Sequence, residues 1–247
     1  HGIALTGHMM EEPTLTKQTH ALGEAMRCYR GMEIPGVDML CNEVEIGTVK
    51  QTQSAKHQFG RKGMLAELYG VTGWGFDFRG HKFQGDWLAA LGVTVRVPHL
   101  SWASMKGMAK RDYPATFNYQ IPWHKEYRVV EDHFARLATV LTRGTPAVKV
   151  GVIHPIESFW LLWGPKDTGA SRRADMEAAH EALYRCLLLG GMDFDYISES
   201  LLPELHRESA SGLAVGEMCY DAVIVPAVIT LRASTVKLLS AFKKRGG

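Results

Sequence analysis

The chain has 247 residues, of which 46% are hydrophobic and 22% are charged, so it can bury a core of ordinary size. Its formal net charge of +2 gives no basis for expecting nucleic acid or an anionic membrane as a partner. No apolar run reaches the roughly 18 residues of a spanning helix, and no leader peptide is evident at the start. We therefore expect a folded protein of the cytoplasm.

The four cysteines, Cys28, Cys41, Cys186 and Cys219, have neither CxxC spacing nor the spacing of a metal site. Each lies in an apolar or helix-like stretch. We expect free, mostly buried thiols in a reducing compartment.

The first part of the chain alternates short apolar runs with amphipathic stretches. Helical spacing of apolar residues predicts helices, and apolar runs bounded by Gly or Pro predict strands. The predicted elements in chain order are a strand over 2–10, a helix over 14–29, a strand over 36–41, a helix over 48–59, a strand over 63–68, a helix over 78–91 and a strand over 93–100. This alternation predicts a parallel α/β sheet whose strands are buried on both faces.

A long segment over 101–129, rich in Trp, Tyr, Pro and His, follows and leads into a helix over 130–141. Its length predicts a functional loop. The pattern then restarts, with strands over 147–154, 194–197 and 222–225 and helices over 174–189 and 234–244. Residues 142–146 are therefore a candidate domain boundary, and the second unit reads as unfinished. Both chain ends suggest a piece of a longer protein.

Polar and aromatic residues cluster at the carboxyl ends of the predicted strands, where parallel α/β folds place their ligand chemistry. In chain order these are His8, Glu11 and Glu12; Asp38, Asn42, Glu43 and Glu45; Glu67, Tyr69 and Trp74; and His99, Ser101 and Trp102. Glycoside hydrolysis needs two carboxyl groups across the scissile bond and aromatic faces for the sugar. The predicted rim offers both.

Glu67 is the foremost catalytic candidate, because it follows the apolar residues 64–66 and a carboxylate there costs free energy unless it is paired or functional. The alternative is a structural ion pair. Glu43 and Glu45 can instead begin the next helix, where acids favour the dipole. His8 and His99 can bind hydroxyls or orient a carboxylate, or be structural. Trp74, Trp102 and Trp123 can form a sugar platform or pack in the core, and residues 111–114 (RDYP) can line a pocket or tie down the loop.

The second unit places His154 at a strand end in VGVIHP and Pro226 at another in YDAVIVP. Class I amidotransferases carry a nucleophilic Cys on a sharp turn after a strand. No Gly-x-Cys-x-Gly occurs here, so an amidotransferase activity is not expected.

Several motifs resemble those of large bacterial glycoside hydrolases. AELYGVTGW, KFQGDWLAALGV and HLSW resemble the last strands of the catalytic barrel in family 42 β-galactosidases and family 106 α-L-rhamnosidase-like proteins. VGVIHP, LLLGGMDFDYISESLL and YDAVIVPAVITL resemble the non-catalytic amidotransferase-like domain that follows the barrel in family 42. The resemblance implies a fold class of the carboxyl-terminal half of a (β/α)8 barrel over 1–144, followed by a partial flavodoxin-like/amidotransferase-like α/β domain over 145–247.

By the same resemblance, the four predicted strands are barrel strands five to eight, and Glu67 is the catalytic glutamate at the end of strand seven. It would be the nucleophile in a retaining enzyme or the general base in an inverting one. The acid/base glutamate of such barrels follows strand four and would lie before His1. The Asn42-Glu43 pair follows the wrong strand and is not assigned that role.

The implied function is hydrolysis of glycosidic bonds as part of a longer enzyme, with an oligosaccharide or glycoside as substrate. The substrate-binding candidates are His8, Glu43, Tyr69, Trp74, His99 and Trp102. A two-carboxylate mechanism needs no cofactor, although Asp38, Glu43 and Glu45 leave calcium open for the rhamnosidase-like case. The alternative is an inactive fragment or a carbohydrate-binding module, and a homo-oligomer that closes the barrel is compatible with the pattern.

Overall fold

The computed structural model describes residues 2–39, 43–108, 117–165 and 168–247. Its strands are β1 (Thr6–Gly7), β2 (Ile34–Met39), β3 (Leu65–Leu68), β4 (Val95–Pro98), β5 (Val150–Ile153), β6 (Phe194–Ile197), β7 (His206–Arg207), β8 (Leu213–Val215), β9 (Met218–Tyr220) and β10 (Ala222–Ile224). Its helices are α1 (Leu15–Ala21), α2 (Ala25–Tyr29), α3 (Ile46–Gln58), α4 (Phe78–Ala90), α5 (Arg128–Leu141), α6 (Ile156–Trp160), α7 (Ala170–Leu189), α8 (Leu202–Leu205) and α9 (Ala233–Lys244). A 3-10 turn spans His124–Glu126.

The first four strands form one parallel sheet in the order β1-β2-β3-β4, curled as half of a barrel. Strands in sequence order are neighbours, and helices connect them, which is the arrangement of successive βα units. The mixed α/β class and the parallel half-barrel are therefore confirmed.

The two central strands of the first sheet have one apolar face and one polar face. The prediction that they are buried on both faces is therefore wrong. Val37 and Met39 of β2 lie beside Ala66 and Leu68 of β3, and all four pack in a core with Val49 of α3 and Leu88 of α4. Successive side chains of a strand point to opposite faces. The residues between them, Asp38 and Glu67, therefore lie on the face away from the helices.

Two predicted elements in the first part are shorter than expected. The first strand comprises only Thr6–Gly7, paired with residues 34 and 35 of β2. The helix expected over 14–29 is broken into α1 and α2, because Gly23 has a left-handed backbone (φ +83°) between them. The chain therefore turns between the two helices, and Glu24 and Gln18 become buried polar groups at the break.

The second part contains a three-stranded parallel sheet in the order β10-β5-β6 and a separate antiparallel sheet in the order β7-β8-β9. The parallel strands agree with the predicted ones within a few residues. The antiparallel sheet was not predicted, because its strands are two or three residues long and no alternating pattern is visible at that length. The flavodoxin-like or amidotransferase-like assignment of this part stays a prediction, as do the boundaries at 144 and 145.

Helix α3 lies between the two parallel sheets and is buried although most of its side chains are polar. Its polar groups find partners on β6: the His57 ring lies 2.9 Å from the Asp195 carboxylate, and the Gln58 amide donates to the Tyr196 carbonyl at 2.7 Å. Buried polar groups are tolerated when they are hydrogen-bonded. These bonds fix the second sheet against the helix that supports β2 and β3.

The cysteines and the helix lengths bear on two further expectations. Cys28 and Cys219 are half-buried and Cys186 is exposed, so burial of the thiols is not found among the described cysteines; Cys41 lies outside the described residues. Across the described ranges, no helix combines the length and the apolar character needed to cross a membrane.

Candidate functional site

The concave face of the half-barrel brings polar side chains of adjacent strands together at the carboxyl end. Asp38 and Glu67 occupy paired positions on β2 and β3, so their side chains share a face. His8 directly follows β1, and the backbone N–H of His99, directly after β4, donates to the Leu68 carbonyl at 2.7 Å. Four successive strands therefore contribute one ionisable side chain each.

Glu67 is held by two histidines. Its Oε2 lies 2.6 Å from Nε2 of His8, and its Oε1 lies 3.9 Å from Nε2 of His99. The Glu67 side chain keeps 25% of its surface exposed, which is close to the 26% of His8. One carboxylate oxygen is therefore strongly engaged, while the other is only loosely held on a face open to solvent.

The protonation of His8 follows from its two neighbours. Its Nδ1 lies 3.1 Å from the Met9 carbonyl, which can only accept, so Nδ1 carries a proton. Its Nε2 then shares one further proton with Glu67. Burial opposes the imidazolium, but the Met9 carbonyl and the carboxylates of Asp38 and Glu67 outweigh it and raise the pKa of His8. Asp38 Oδ2 lies 4.0 Å from Nδ1. The arrangement favours the imidazolium form of His8 beside the Glu67 carboxylate.

A second carboxyl group, Glu12, lies beneath this cluster and is 2% exposed. Its Oε1 accepts from the Met9 N–H at 2.8 Å and from the Tyr29 hydroxyl at 2.7 Å, and its Oε2 accepts from the Asp38 N–H at 3.1 Å. Burial raises the pKa of Glu12 to about 7, against these hydrogen bonds and the charge of His8, which lower it.

The remaining substrate-binding candidates lie in different surroundings. Trp74 is 37% exposed in the turn after β3, and Trp102 is half-buried, with its carbonyl accepting from Gln120 at 2.6 Å. Glu43 is exposed. None of the three takes part in the hydrogen bond between His8 and Glu67. As substrate contacts, the five candidates other than Tyr69 stay predictions, namely His8, Glu43, Trp74, His99 and Trp102.

Tyr69 is placed differently from the prediction. Its side chain is fully buried, and its hydroxyl donates to the His81 carbonyl at 3.0 Å and accepts from Arg96 at 3.2 Å. Its backbone has a left-handed conformation (φ +73°) that is unusual for a residue with a side chain. The residue therefore turns the chain after β3 and packs in the core, and it presents no surface that a substrate could contact.

A cleft of about 180 Å³ opens beside Asp38. Its lining is mostly charged and comprises Glu11, Glu12, Pro13, Lys17, Asp38, Met39, Glu45 and Val71. Glu45 directly precedes α3, and burial raises the pKa of its carboxyl. This position agrees with a helix-start role for Glu45. Asn42 and residues 111–114 lie outside the described residues.

One imidazole and two carboxylates in the described part of the chain could together hold a cation. Donor atoms of His8, Asp38 and Glu67 lie within 4.8 Å of one another. The hydrogen bond between His8 and Glu67 already engages two of these three donors, and nitrogen with oxygen ligands does not select one metal. The cluster is explained without an ion, and the expectation that no cofactor is needed stays a prediction.

Asp38 and Glu12 belong to the site but were not selected from the sequence, although both stand among the strand-end residues. The signal for Asp38 was the spacing of β2, since an acid between Val37 and Met39 falls on the face opposite the apolar one. No sequence signal distinguishes Glu12 from Glu11, because only the fold shows that Glu12 points inward.

Comparisons with known proteins show what the fold of this chain is similar to. No family model and no curated protein matches the chain. The structure resembles part of a solved rhamnosidase from Novosphingobium sp. PP1Y with a TM-score of 0.70 and 18% sequence identity. The likeness covers 97% of this chain but only 22% of the rhamnosidase chain. At this identity the likeness shows a shared fold, and both parts of the present chain lie within it.

Proposed function

We propose that this chain is part of a glycoside hydrolase, in which Glu67 is one of the two catalytic carboxylates. The single observation that carries the proposal is the placement of Glu67: a partly exposed carboxylate on the concave face of a half-barrel, held through one oxygen by His8. A carboxylate so placed has its second oxygen available for a sugar carbon or a water molecule.

The contacts around Glu67 support a proposed role for each group. In an enzyme of this type, Glu67 either attacks the anomeric carbon or takes a proton from the attacking water. His8 donates a hydrogen bond to Glu67 and thereby fixes the rotamer of its carboxylate. His99 lies on the other side of the carboxylate, where it is within reach of a sugar hydroxyl. We place the acid/base residue outside this chain, by the resemblance described above.

The substrate class is a glycoside or oligosaccharide, and α-L-rhamnosides are the first to test because the similar structure is titled a rhamnosidase. β-Galactosides are the second, from the family 42 resemblance. Under this proposal, residues 1–144 form barrel strands five to eight, and residues 145–247 form the amidotransferase-like domain without catalytic chemistry of its own.

The decisive experiment compares Glu67→Gln with Glu43→Gln in the full protein that contains this chain. Because general acid–base groups contribute about 10²- to 10⁴-fold, Glu67→Gln should lower kcat for the preferred aryl glycoside by about that factor while the circular dichroism spectrum is unchanged. Glu43→Gln removes an exposed acid after the neighbouring strand and leaves the contacts of Glu67 intact, so kcat should stay within about threefold of the wild type. Because Glu43 is a substrate-binding candidate, any effect of this variant should fall on KM.

Near-normal turnover of Glu67→Gln would contradict the catalytic assignment. Should the wild type cleave no glycoside yet bind one, as measured by calorimetry, the carbohydrate-binding module would replace the enzyme as the best description.

A further inference from the structure

The ladder between β1 and β2 is short on the side of the sheet that carries His8. Pairing stops at Gly7 and Pro35, whereas β2 and β3 remain paired as far as Met39 and Leu68. The backbone that carries His8 and Met9 therefore leaves the sheet before it reaches the level of Asp38 and Glu67. Ladder hydrogen bonds are not available to hold it there.

Glu12 holds this backbone in place of the missing ladder hydrogen bonds. One buried carboxyl group accepts the N–H of Met9 on the β1 side and the N–H of Asp38 on β2. The Met9 peptide is fixed from both ends, since its carbonyl lies 3.1 Å from Nδ1 of His8. The chain of contacts runs from Asp38 through Glu12 and Met9 to the His8 ring, and from that ring to Glu67.

Glu12 is unsuited to react with a substrate itself. It is 2% exposed, and both its oxygens already accept hydrogen bonds from the protein. A buried carboxylate with three donors is well satisfied, and each donor comes from a different element: the segment after β1, α2 and β2. Such a group fixes the relative position of these elements.

We propose that Glu12 is a positioning residue of the active site, which bridges the open ends of β1 and β2 and thereby sets the distance between the His8 ring and the Glu67 carboxylate. The inference rests on the proposed function for its effect on turnover, but the effect on His8 does not depend on it. Loss of the bridge frees the segment around Met9, and the imidazole moves relative to Glu67.

The test compares Glu12→Gln with Tyr29→Phe in the full protein. Glutamine offers one acceptor oxygen and one NH₂ donor, so either Met9 or Asp38 must then face a donor. Tyr29→Phe removes only the hydroxyl from Glu12 and keeps both amide bonds. Since a misplacement of about 1 Å can cost about 10²-fold, we expect Glu12→Gln to lower kcat about 10- to 100-fold with KM within about twofold, and Tyr29→Phe to stay within about threefold.

The imidazole proton of His8 that faces Glu67 supplies a readout that is independent of turnover. Its NMR signal should move in Glu12→Gln and stay in place in Tyr29→Phe. An unchanged signal in Glu12→Gln, or turnover within threefold of wild type on a glycoside that the wild type cleaves, overturns the positioning role. Failure of the wild type to cleave any glycoside counts against the proposed function alone, because the His8 signal still decides the role of Glu12.

A measurement on the wild type covers the case in which Glu12→Gln does not fold. The amides of Met9 and Asp38 should exchange slowly with solvent deuterium, because both donate to the buried carboxyl group of Glu12. Exchange of both at the rate of exposed loop amides overturns the proposal.

Discussion

Two histidines, His8 and His154, occupy the same kind of position, directly after the first strand of a parallel sheet, but they have opposite surroundings. His8 is partly exposed and lies among carboxylates, which raise its pKa. His154 is 1% exposed, and neither of its ring nitrogens has a hydrogen-bond partner among the described residues. Burial, together with the nearby His180, places its pKa well below the ordinary value.

The contrast teaches that the partners of a strand-end histidine, and not its position, decide its role. The His154 ring packs edge-on against Tyr196 and His180, with ring centroids 5.1 and 5.5 Å away. It is an uncharged part of the core between β5, β6 and α7. His8 instead shares a proton with Glu67, which is the contact that the proposed catalytic role requires.

The largest effect that tests this comparison is expected for His8→Gln. Glutamine keeps a donor toward Glu67 but removes the positive charge, so the carboxylate is less well positioned and less stabilised. We expect kcat on the preferred glycoside to fall about 10- to 100-fold, as measured by steady-state kinetics.

The matched control for His8→Gln is His154→Leu, which replaces a buried ring without hydrogen bonds by an apolar side chain. Such a replacement is close to neutral, so turnover should remain within about threefold of wild type. Equal losses in both variants would show that the two histidines do not differ in function.

The second prediction concerns stability at acid pH. Burial lowers the pKa of His154 and brings that of His180 to about 4, while unfolded histidine has a pKa of about 6.5. Between these values the unfolded state binds more protons than the folded state, so stability is present above pH 6.5 and is lost as the pH falls. We expect each ring to contribute a loss of about 1–2 kcal/mol between pH 6.5 and 5, measured for His154 by urea unfolding of the wild type against His154→Leu.

The groups that face this histidine pair are Tyr196 on β6 and Tyr184 and Glu181 on α7. Only Glu181 carries a charge near neutrality, and it favours protonation of His180. His154→Leu should therefore reduce the stability that is lost at acid pH without abolishing that loss, because His180 remains. A loss of stability between pH 6.5 and 5 that is as large in His154→Leu as in the wild type would contradict the assignment of a neutral buried ring to His154.

His8 should show the opposite sign. Its folded-state pKa is raised, so its contribution to stability is complete below the unfolded pKa and is lost as the pH rises through the folded one. His8→Gln should reduce the decline of stability on the alkaline side of neutrality and leave the acid side as it is. Unfolding curves of His8→Gln and His154→Leu across pH 5 to 9 distinguish the contributions of the two histidines to stability. A steeper alkaline decline in His8→Gln would contradict the raised pKa.

The periodicity of the sequence was sufficient to locate the parallel strands, because a largely buried strand between helices leaves a short apolar run, although β1 is much shorter than the strand predicted over 2–10. β6 was predicted with its observed bounds over 194–197, and α4 differs from the predicted helix only at its last residue. The break at Gly23 and the short antiparallel strands were missed, since neither a single glycine nor a three-residue strand changes a periodic pattern. The burial of α3 was invisible, because its polar residues are satisfied by partners about 140 positions away.

The site was predicted in part, because the periodicity of a strand also shows which of its residues share a face. The register of β2 and β3 places Glu67 beside Asp38. Each of the two can be noticed in the sequence because it is an acidic residue within an apolar run. The histidines on either side of Glu67 could be named as candidates, but their distances depend on the curl of the sheet. Tyr69 was misplaced because a left-handed residue after the strand turns its ring into the core, and nothing in the sequence announces that conformation.

The smallest predicted effect concerns the aromatic counterpart of the same comparison, Trp74 against Tyr69. Trp74 keeps 37% of its surface exposed after β3, whereas the ring of Tyr69 is fully buried. If Trp74 forms one side of a sugar subsite, Trp74→Ala removes about 1 kcal/mol of ring contact and should raise KM about fivefold with kcat unchanged. Tyr69→Phe keeps the buried ring and should leave KM unaltered, because its hydroxyl contacts only protein groups. An unchanged KM in Trp74→Ala would limit the site to the ionisable cluster on the concave face.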